Sequence, residues 1–304
     1  MPPTRFARPF EWSAVLAIGM VAACNDVTTA DDAGDAGDAA LFDRGHDAFF
    51  PEDRDDAAAP RDATNEEDVT IAPPTPLFNG RDFTGWEKYL GPPNGSTEPQ
   101  GAADPNGVFS IVVVDNAPAI RISGEVWGAL TSLAEFENYH LSMQFKWGSL
   151  PVWPPLTSRD SGLMYHSVGP FGAVKAGGGM LADPPGSGWF MTSMELQIAD
   201  NDLGSYYSLG PITVNGGVFT VAAAAQYENP VGAWNVVEVF AFGNESVQLV
   251  NGHPVAHVKG ATLVVNDDAR PLTRGKIQLQ SESMEIFLRS IVLAPIAEIP
   301  PDLL

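Results

Sequence analysis

The chain has 304 residues, 44% apolar and 18% charged, which excludes a wholly disordered protein and leaves room for one large domain or two small ones. Its 16 basic and 38 acidic side chains give a net charge of −22, a sign that repels phosphate backbones and anionic lipid head groups, so nucleic acid is not an expected partner and a neutral sugar fits better. A single cysteine, Cys24, rules out an internal disulfide framework and any metal site that needs two thiolates from the chain.

Residues 1–24 carry Arg5 and Arg8, then an apolar stretch from Trp12 to Ala23, then Cys24, the layout of a secretory signal that is too short to span a bilayer. The run Val21, Ala22, Ala23, Cys24 resembles a bacterial lipobox, which implies lipidation of Cys24 and cleavage before it. Asp26 stands one residue beyond Asn25 rather than directly after the cysteine, so the expected destination is the outer membrane, with the lipid as the only membrane contact. Residues 25–72 hold 15 acidic and 3 basic side chains and the run DDAGDAGDAA, a composition that cannot bury a core and lacks calcium-loop spacing. This segment is expected to be a disordered linker, and residues 73–304 one acidic folded domain, monomeric in solution.

In the domain, apolar residues alternate with polar ones. Tyr139, Leu141, Met143, Phe145 and Trp147 alternate with His140, Ser142, Gln144 and Lys146, and Met194, Leu196 and Ile198 alternate with Glu195, Gln197 and Ala199. Asn235 to Val250 reads as two β runs broken at Gly243 and Asn244, and Asn251-Gly252 as a type I′ hairpin turn. Residues 276–281 alternate again and 286–293 supply a closing strand. About a dozen short strands with Asn, Gly and Pro at the breaks indicate an all-β antiparallel sandwich or jelly roll. Residues 91–107, 148–160 and 170–188 interrupt the strands and are expected to be binding loops, with flexibility from Gly177, Gly178 and Gly179.

No GxSxG elbow, HExxH zinc helix or Rossmann glycine pattern occurs in the sequence, so serine hydrolase, zincin and dehydrogenase chemistries have no foothold. What remains is a polar set on or beside strands: Lys146, Arg159, Asp160, His166, Glu195, Gln197 and Gln280, with Trp153 as a stacking platform. Glu195 and Gln197 share one strand face about 7 Å apart, opposite the apolar set, and so lie on the outer, concave face of their sheet. His166 and Lys146 are expected in the same cleft if their strands are neighbours.

LFNGRDFTGW (Leu77 to Trp86) resembles the opening signature of the bacterial 3-keto-disaccharide hydrolase domain family. ENYHLSMQFKWG, RDSGLMYH, MELQIAD, GAWNVVEVFAFGNESVQLVNGHPV and GKIQLQSESMEIFLRSIVL resemble that family's further motifs in order, over essentially 76–295. The resemblance implies a concanavalin A-like jelly roll and cleavage of 3-keto-disaccharides. The laminarinase-type glucanases of the same sandwich use a Glu-x-Asp-x-x-Glu strand, where this chain has Glu195, Gln197 and Asp200. The carboxyl pair that retaining hydrolysis needs, about 5 to 5.5 Å apart, is therefore not secured.

A 3-keto sugar instead has an acidified C2 proton, and its loss lets the C1 substituent leave by elimination before water adds. On that reading Glu195, His166 and Asp160 are the catalytic candidates, with Glu195 or His166 as base or acid. Lys146, Arg159 or a divalent ion steadies the enolate, and Gln197, Gln280 and Trp153 bind the sugar. No cofactor is required, and a divalent cation such as calcium is compatible but not indicated. The competing reading is a non-catalytic, lectin-like carbohydrate-binding module on the cell surface, since the fold serves both roles, and a purely structural adhesin needs only the fold.

Overall fold

The computed structural model describes residues 73–154, 156–175, 181–266 and 268–304; Cys24, the acidic linker and the triple glycine lie outside the described residues. Strands follow one another in chain order: β1 (Thr75–Pro76), β2 (Trp86–Leu90), β3 (Phe109–Val114), β4 (Ala117–Ile122), β5 (Gly128–Ser132), β6 (Tyr139–Trp147), β7 (Asp160–Val168), β8 (Thr192–Ala199) and β9 (Tyr206–Leu209). They continue as β10 (Ile212–Thr213), β11 (Thr220–Val221), β12 (Asn235–Phe242), β13 (Glu245–Val250), β14 (His253–Val258), β15 (Thr262–Val265), β16 (Asp268–Pro271), β17 (Lys276–Ser281) and β18 (Ile286–Pro295). Among the described residues the only helical element is a 3-10 turn at Pro301–Leu303.

One sheet runs β14-β13-β12-β6-β18-β4-β3, with β1 also paired to β18; a second runs β11-β9-β8-β7-β17-β5-β2, and β10-β15-β16 form a small third sheet. All pairings between these strands are antiparallel. The period-two reading is visible in burial: on β6 every odd residue from Tyr139 to Trp147 is buried and every even one half-buried. These five side chains meet Leu163, Tyr165, Met194, Leu196, Ile198, Ile277 and Leu279 of the second sheet in one core. The chain is the antiparallel jelly-roll sandwich that the alternation indicates.

The turns follow their residue types. Asn251 and Gly252 both take positive φ, 50° and 80°, as a type I′ turn requires, and β12 passes to β13 through Gly243 and Asn244. The described residues form eighteen strands rather than about a dozen, because two- to four-residue pieces such as β1, β10, β11 and β16 carry too few positions to show a period.

One buried residue breaks the alternation. Between Tyr165 and Val168 the β7–β8 register shifts, and His166 adopts φ 47°. This bulge turns His166, like Tyr165 before it, into the core, where its ring stands edge-on to Tyr139 and Tyr165 at 5.5 and 5.7 Å.

Candidate active site

The site grows from the outer face of the second sheet. Since Leu163, Met194, Leu196 and Leu279 face the core, their strand neighbours face out. Across β8, β7, β17 and β5 the register sets Glu195 opposite Met164, Gln197 opposite Gly162, Gln278 opposite both Met164 and Thr131, and Gln280 opposite Ala129. On the far side of β8, Tyr207 pairs with Glu195 and donates its hydroxyl to Asp202 at 2.8 Å.

Gly162 is the floor of this arrangement. A Cβ at 162 would overlap the Glu195 carboxyl and come within 2.9 Å of Gln280 Oε1, so both polar groups fold over the bare glycine. Glu195 is 3% exposed and Gln280 2%. Glu195 Oε1, Gln280 Oε1, Gln197 Oε1 and Asp160 Oδ1 are buried and find no hydrogen-bond partner among the described residues. Unpaired buried acceptors are costly to a fold, and gathered on one face they are what a hydroxylated ligand would satisfy.

The electrostatics are equally unusual. Burial, and after it the nearby Asp160, hold the Glu195 carboxyl far above the ordinary carboxylate range, against the opposing effect of Gln280. Glu282, which follows Gln278 and Gln280 along the β17 direction, is pushed up in the same way by burial and then by Asp160 and Glu195. Burial raises Asp160 to about 7, with Asp202 and Asp200 adding to it and the Ser161 main chain and Gln197 opposing it. Burial thus pushes three neighbouring carboxyls on this face towards their protonated forms, Asp160 to about 7 and Glu195 and Glu282 well above the ordinary carboxylate range, the kind of shift that fits carboxyls for acid and base roles.

The sequence matches the family described as the 3-keto-alpha-glucoside-1,2-lyase-like domain over residues 73–294. The chain belongs to that family. As a member of the 3-keto-alpha-glucoside-1,2-lyase-like family it is a carbohydrate-active domain of a glycoside-acting kind. Among proteins of curated function none matches the sequence.

Solved structures similar to it include a proposed glycosyl hydrolase from Parabacteroides distasonis, with 18% identity, 73% of this chain and 94% of the other covered, and a TM-score of 0.44. A protein with a galectin-like fold from Bacillus subtilis has 12% identity, 74% and 95% coverage, and a TM-score of 0.45. The carbohydrate-binding module CBM66 from the same organism has 9% identity, 69% and 95% coverage, and a TM-score of 0.41.

Of the residues singled out in the sequence, the structure brings Glu195, Gln197, Asp160 and Gln280 of this lyase-like domain together. Arg159 stands at the rim with its charge already answered: its main-chain N–H donates to Asp200 at 2.9 Å, its guanidinium clasps the same carboxylate, and Glu228 lies 3.3 Å away. Trp153 is pinned beside Glu282, its main chain donating to the Ser283 carbonyl at 2.6 Å and its indole N–H to the Ser123 carbonyl at 3.1 Å.

Two expectations fail. His166 does not share the cleft; the bulge sends it into the core, where burial lowers it to about 4 despite the favourable main chain at Leu272, and keeps the ring neutral. Lys146 does not share it either, because β6 neighbours β12 and β18 in the other sheet. Lys146 lies on that sheet's outer side, 3.0 Å from Asp115 and over the Trp234 ring.

Glu282, Tyr207, Asp202 and Gly162 were not singled out from sequence. The signal for Glu282 was present: the period of Gln278 and Gln280 reaches it two residues on. Among the described residues no three His, Cys, Asp or Glu side chains are grouped to hold a metal ion.

Proposed function

We propose that this domain cleaves 3-keto-glycosides by elimination. A base removes the C2 proton, and the C2–H electrons pass into an enolate delocalised onto the C3 oxygen. They then return to form the C1–C2 double bond as the C1–O bond breaks. The departing oxygen takes a proton from an acid, and water adding across the new double bond gives net hydrolysis. Asp160, poised near neutrality by burial, suits the base, and Glu195, which keeps its proton at neutral pH, suits the acid. Gln197 and Gln280 offer amides to the sugar hydroxyls and to the enolate oxygen.

The observation that carries this reading is the gathering of the buried Glu195 carboxyl with the unpartnered oxygens of Asp160, Gln197 and Gln280 over the Gly162 floor, where burial raises both carboxyls. A retaining hydrolase would need one of its carboxyls permanently ionised as a nucleophile, which suits this low-dielectric face poorly, whereas elimination needs no such group.

The test is cleavage of 3-keto-trehalose beside trehalose itself. Only the oxidised sugar should be consumed, and substrate deuterated at C2 should react more slowly when chemistry limits the rate. Glu195→Gln should lower turnover by about 10² to 10⁴-fold without lowering the melting temperature, since an amide replaces a carboxyl whose ionised form burial disfavours. Equal cleavage of both sugars would reject elimination. Sugar binding without any cleavage would favour the lectin-like reading.

A further inference from the structure

On β13, Val247 and Leu249 turn to the outer side of the first sheet and pack with Ile299. Gln248 between them therefore turns inward, beside its β12 neighbour Val239, which belongs to the core between the sheets. Gln248 is 0% exposed. A primary amide in that layer breaks the pattern the strands keep elsewhere, and it costs stability unless its polar atoms are bonded.

Its bonds lead across the sandwich. Gln248 Nε2 donates to the Tyr165 hydroxyl and to the main-chain carbonyl of Glu195, each at 3.1 Å. A main-chain carbonyl only accepts, so the end of the amide that meets it is the nitrogen. The Tyr165 hydroxyl, accepting from the amide, keeps its own hydrogen for Ser246 Oγ, 2.9 Å away on β13. One amide of the first sheet thus grips two adjacent strands of the second, β7 through Tyr165 and β8 through Glu195 itself. Both ends of this bridge lie at irregular backbone: the β13–β14 register slips between Gln248 and Leu249, and the β7–β8 register slips after Tyr165. Such bulges re-aim side chains.

The same residue that is gripped from the core carries its carboxyl on the opposite, outer face, over Gly162. Glu195 Oε1 has no hydrogen-bond partner among the described residues, so its place depends on the direction in which the main chain at 195 aims the side chain. A carbonyl held from the core keeps residue 195 from tilting. Gln248 Oε1 is also without a partner among the described residues, a cost that an apolar side chain of the same length would not carry. An amide that the core would be more stable without is a local rule broken where function needs it.

We propose that Gln248 is a positioning residue: reaching through the core from the other sheet, it fixes the main chain of Glu195 and with it the place of the Glu195 carboxyl over Gly162. Its effect on rate rests on the elimination reading; its effect on the carboxyl does not.

Gln248→Met keeps the length of the side chain and loses the amide. Against 3-keto-trehalose it should lower kcat per folded molecule about tenfold and leave KM within about twofold, because Gln248 lies inside the core while a misplaced reacting group slows the chemistry. Tyr165→Phe removes the other arm of the bridge, leaves the Glu195 contact, and should keep the parent kcat per folded molecule. A parent-level kcat in Gln248→Met, or an equal fall in Tyr165→Phe, overturns the assignment whatever the two melts show.

A titration that needs no turnover separates this proposal from the one beneath it. In protein carrying isotope-labelled glutamate, the Glu195 carboxyl resonance is the one missing from Glu195→Gln. Burial is the chief cause that holds this carboxyl high, so one free to drift towards water should titrate at lower pH in Gln248→Met, and at the parent's pH in Tyr165→Phe. If the parent cleaves no keto sugar, the elimination reading fails, and this shift alone decides the positioning role. An unchanged Glu195 titration in Gln248→Met overturns that role whatever the enzyme does.

Discussion

Asp160, Glu195 and Glu282 retain protons in the fold that an unfolded chain would release near pH 4, and that difference is a measurable property of the whole protein. Below about pH 4 all three are protonated in both states and cost nothing. As pH rises further, the folded state holds protons the unfolded state has lost, so stability falls by about 1.4 kcal/mol per pH unit for each retained proton, until the folded value is passed. For Asp160 that passage comes at about 7. His166 acts with the opposite sign: lowered to about 4, it stays neutral where the unfolded ring binds a proton, so its contribution grows as pH rises towards about 6.5 and is constant above. Above that pH the carboxyls act alone, and the melting temperature should fall from pH 6.5 to pH 8. Asp160→Asn should flatten the decline between about pH 5 and 7 by close to one proton's worth. A melting temperature that rises over pH 6.5 to 8 would mean that these carboxyls are ionised in the native state.

Strands, taken one at a time, are where the sequence was most legible. The alternation of β6 and β8 gives the face of every residue on them, including Glu195 and Gln197, because a buried sheet face imposes a strict period of two. The period does not say which sheet a strand joins, and so Lys146 was assigned to a cleft that belongs to the other sheet. Nor does it survive an inserted residue: the bulge at His166 exchanges faces within β7, and its outward sign is remote, since Gly275 packs its bare backbone against His166 and Ser167. With both ring nitrogens buried and without partners among the described residues, His166 fills space between the sheets rather than moving protons. His166→Ala should therefore open a cavity and cost about 2–4 kcal/mol, seen as a lower melting temperature, while activity per folded molecule stays at the parent level. Loss of turnover with an unchanged melt would return the residue to the mechanism.

For the whole molecule, charge bears on whether any membrane attachment could come from a segment other than Cys24. The segment 25–72 carries −12 and the domain beyond it −11, so neither is drawn to anionic lipid, and the two arginines before the apolar stretch belong to a segment expected to be removed. If the chain is held at the envelope, the acyl chains on Cys24 must do it. Each buried methylene adds about 0.8 kcal/mol, and one chain binds only reversibly, but a diacylglyceryl group supplies two and makes retention stable. The anchor should thus behave as all or none: Cys24→Ser should move the protein from the membrane fraction to the soluble fraction, with no residual salt-sensitive binding of the kind a basic patch gives. Deleting residues 25–72 while keeping Cys24 should leave the protein on the membrane. Its melting temperature should shift by no more than about a degree or two, because a segment so charged and so poor in apolar residues has little to bury. Retention of Cys24→Ser that high salt cannot release, with no lipid on the parent protein, would place the membrane contact elsewhere in the chain.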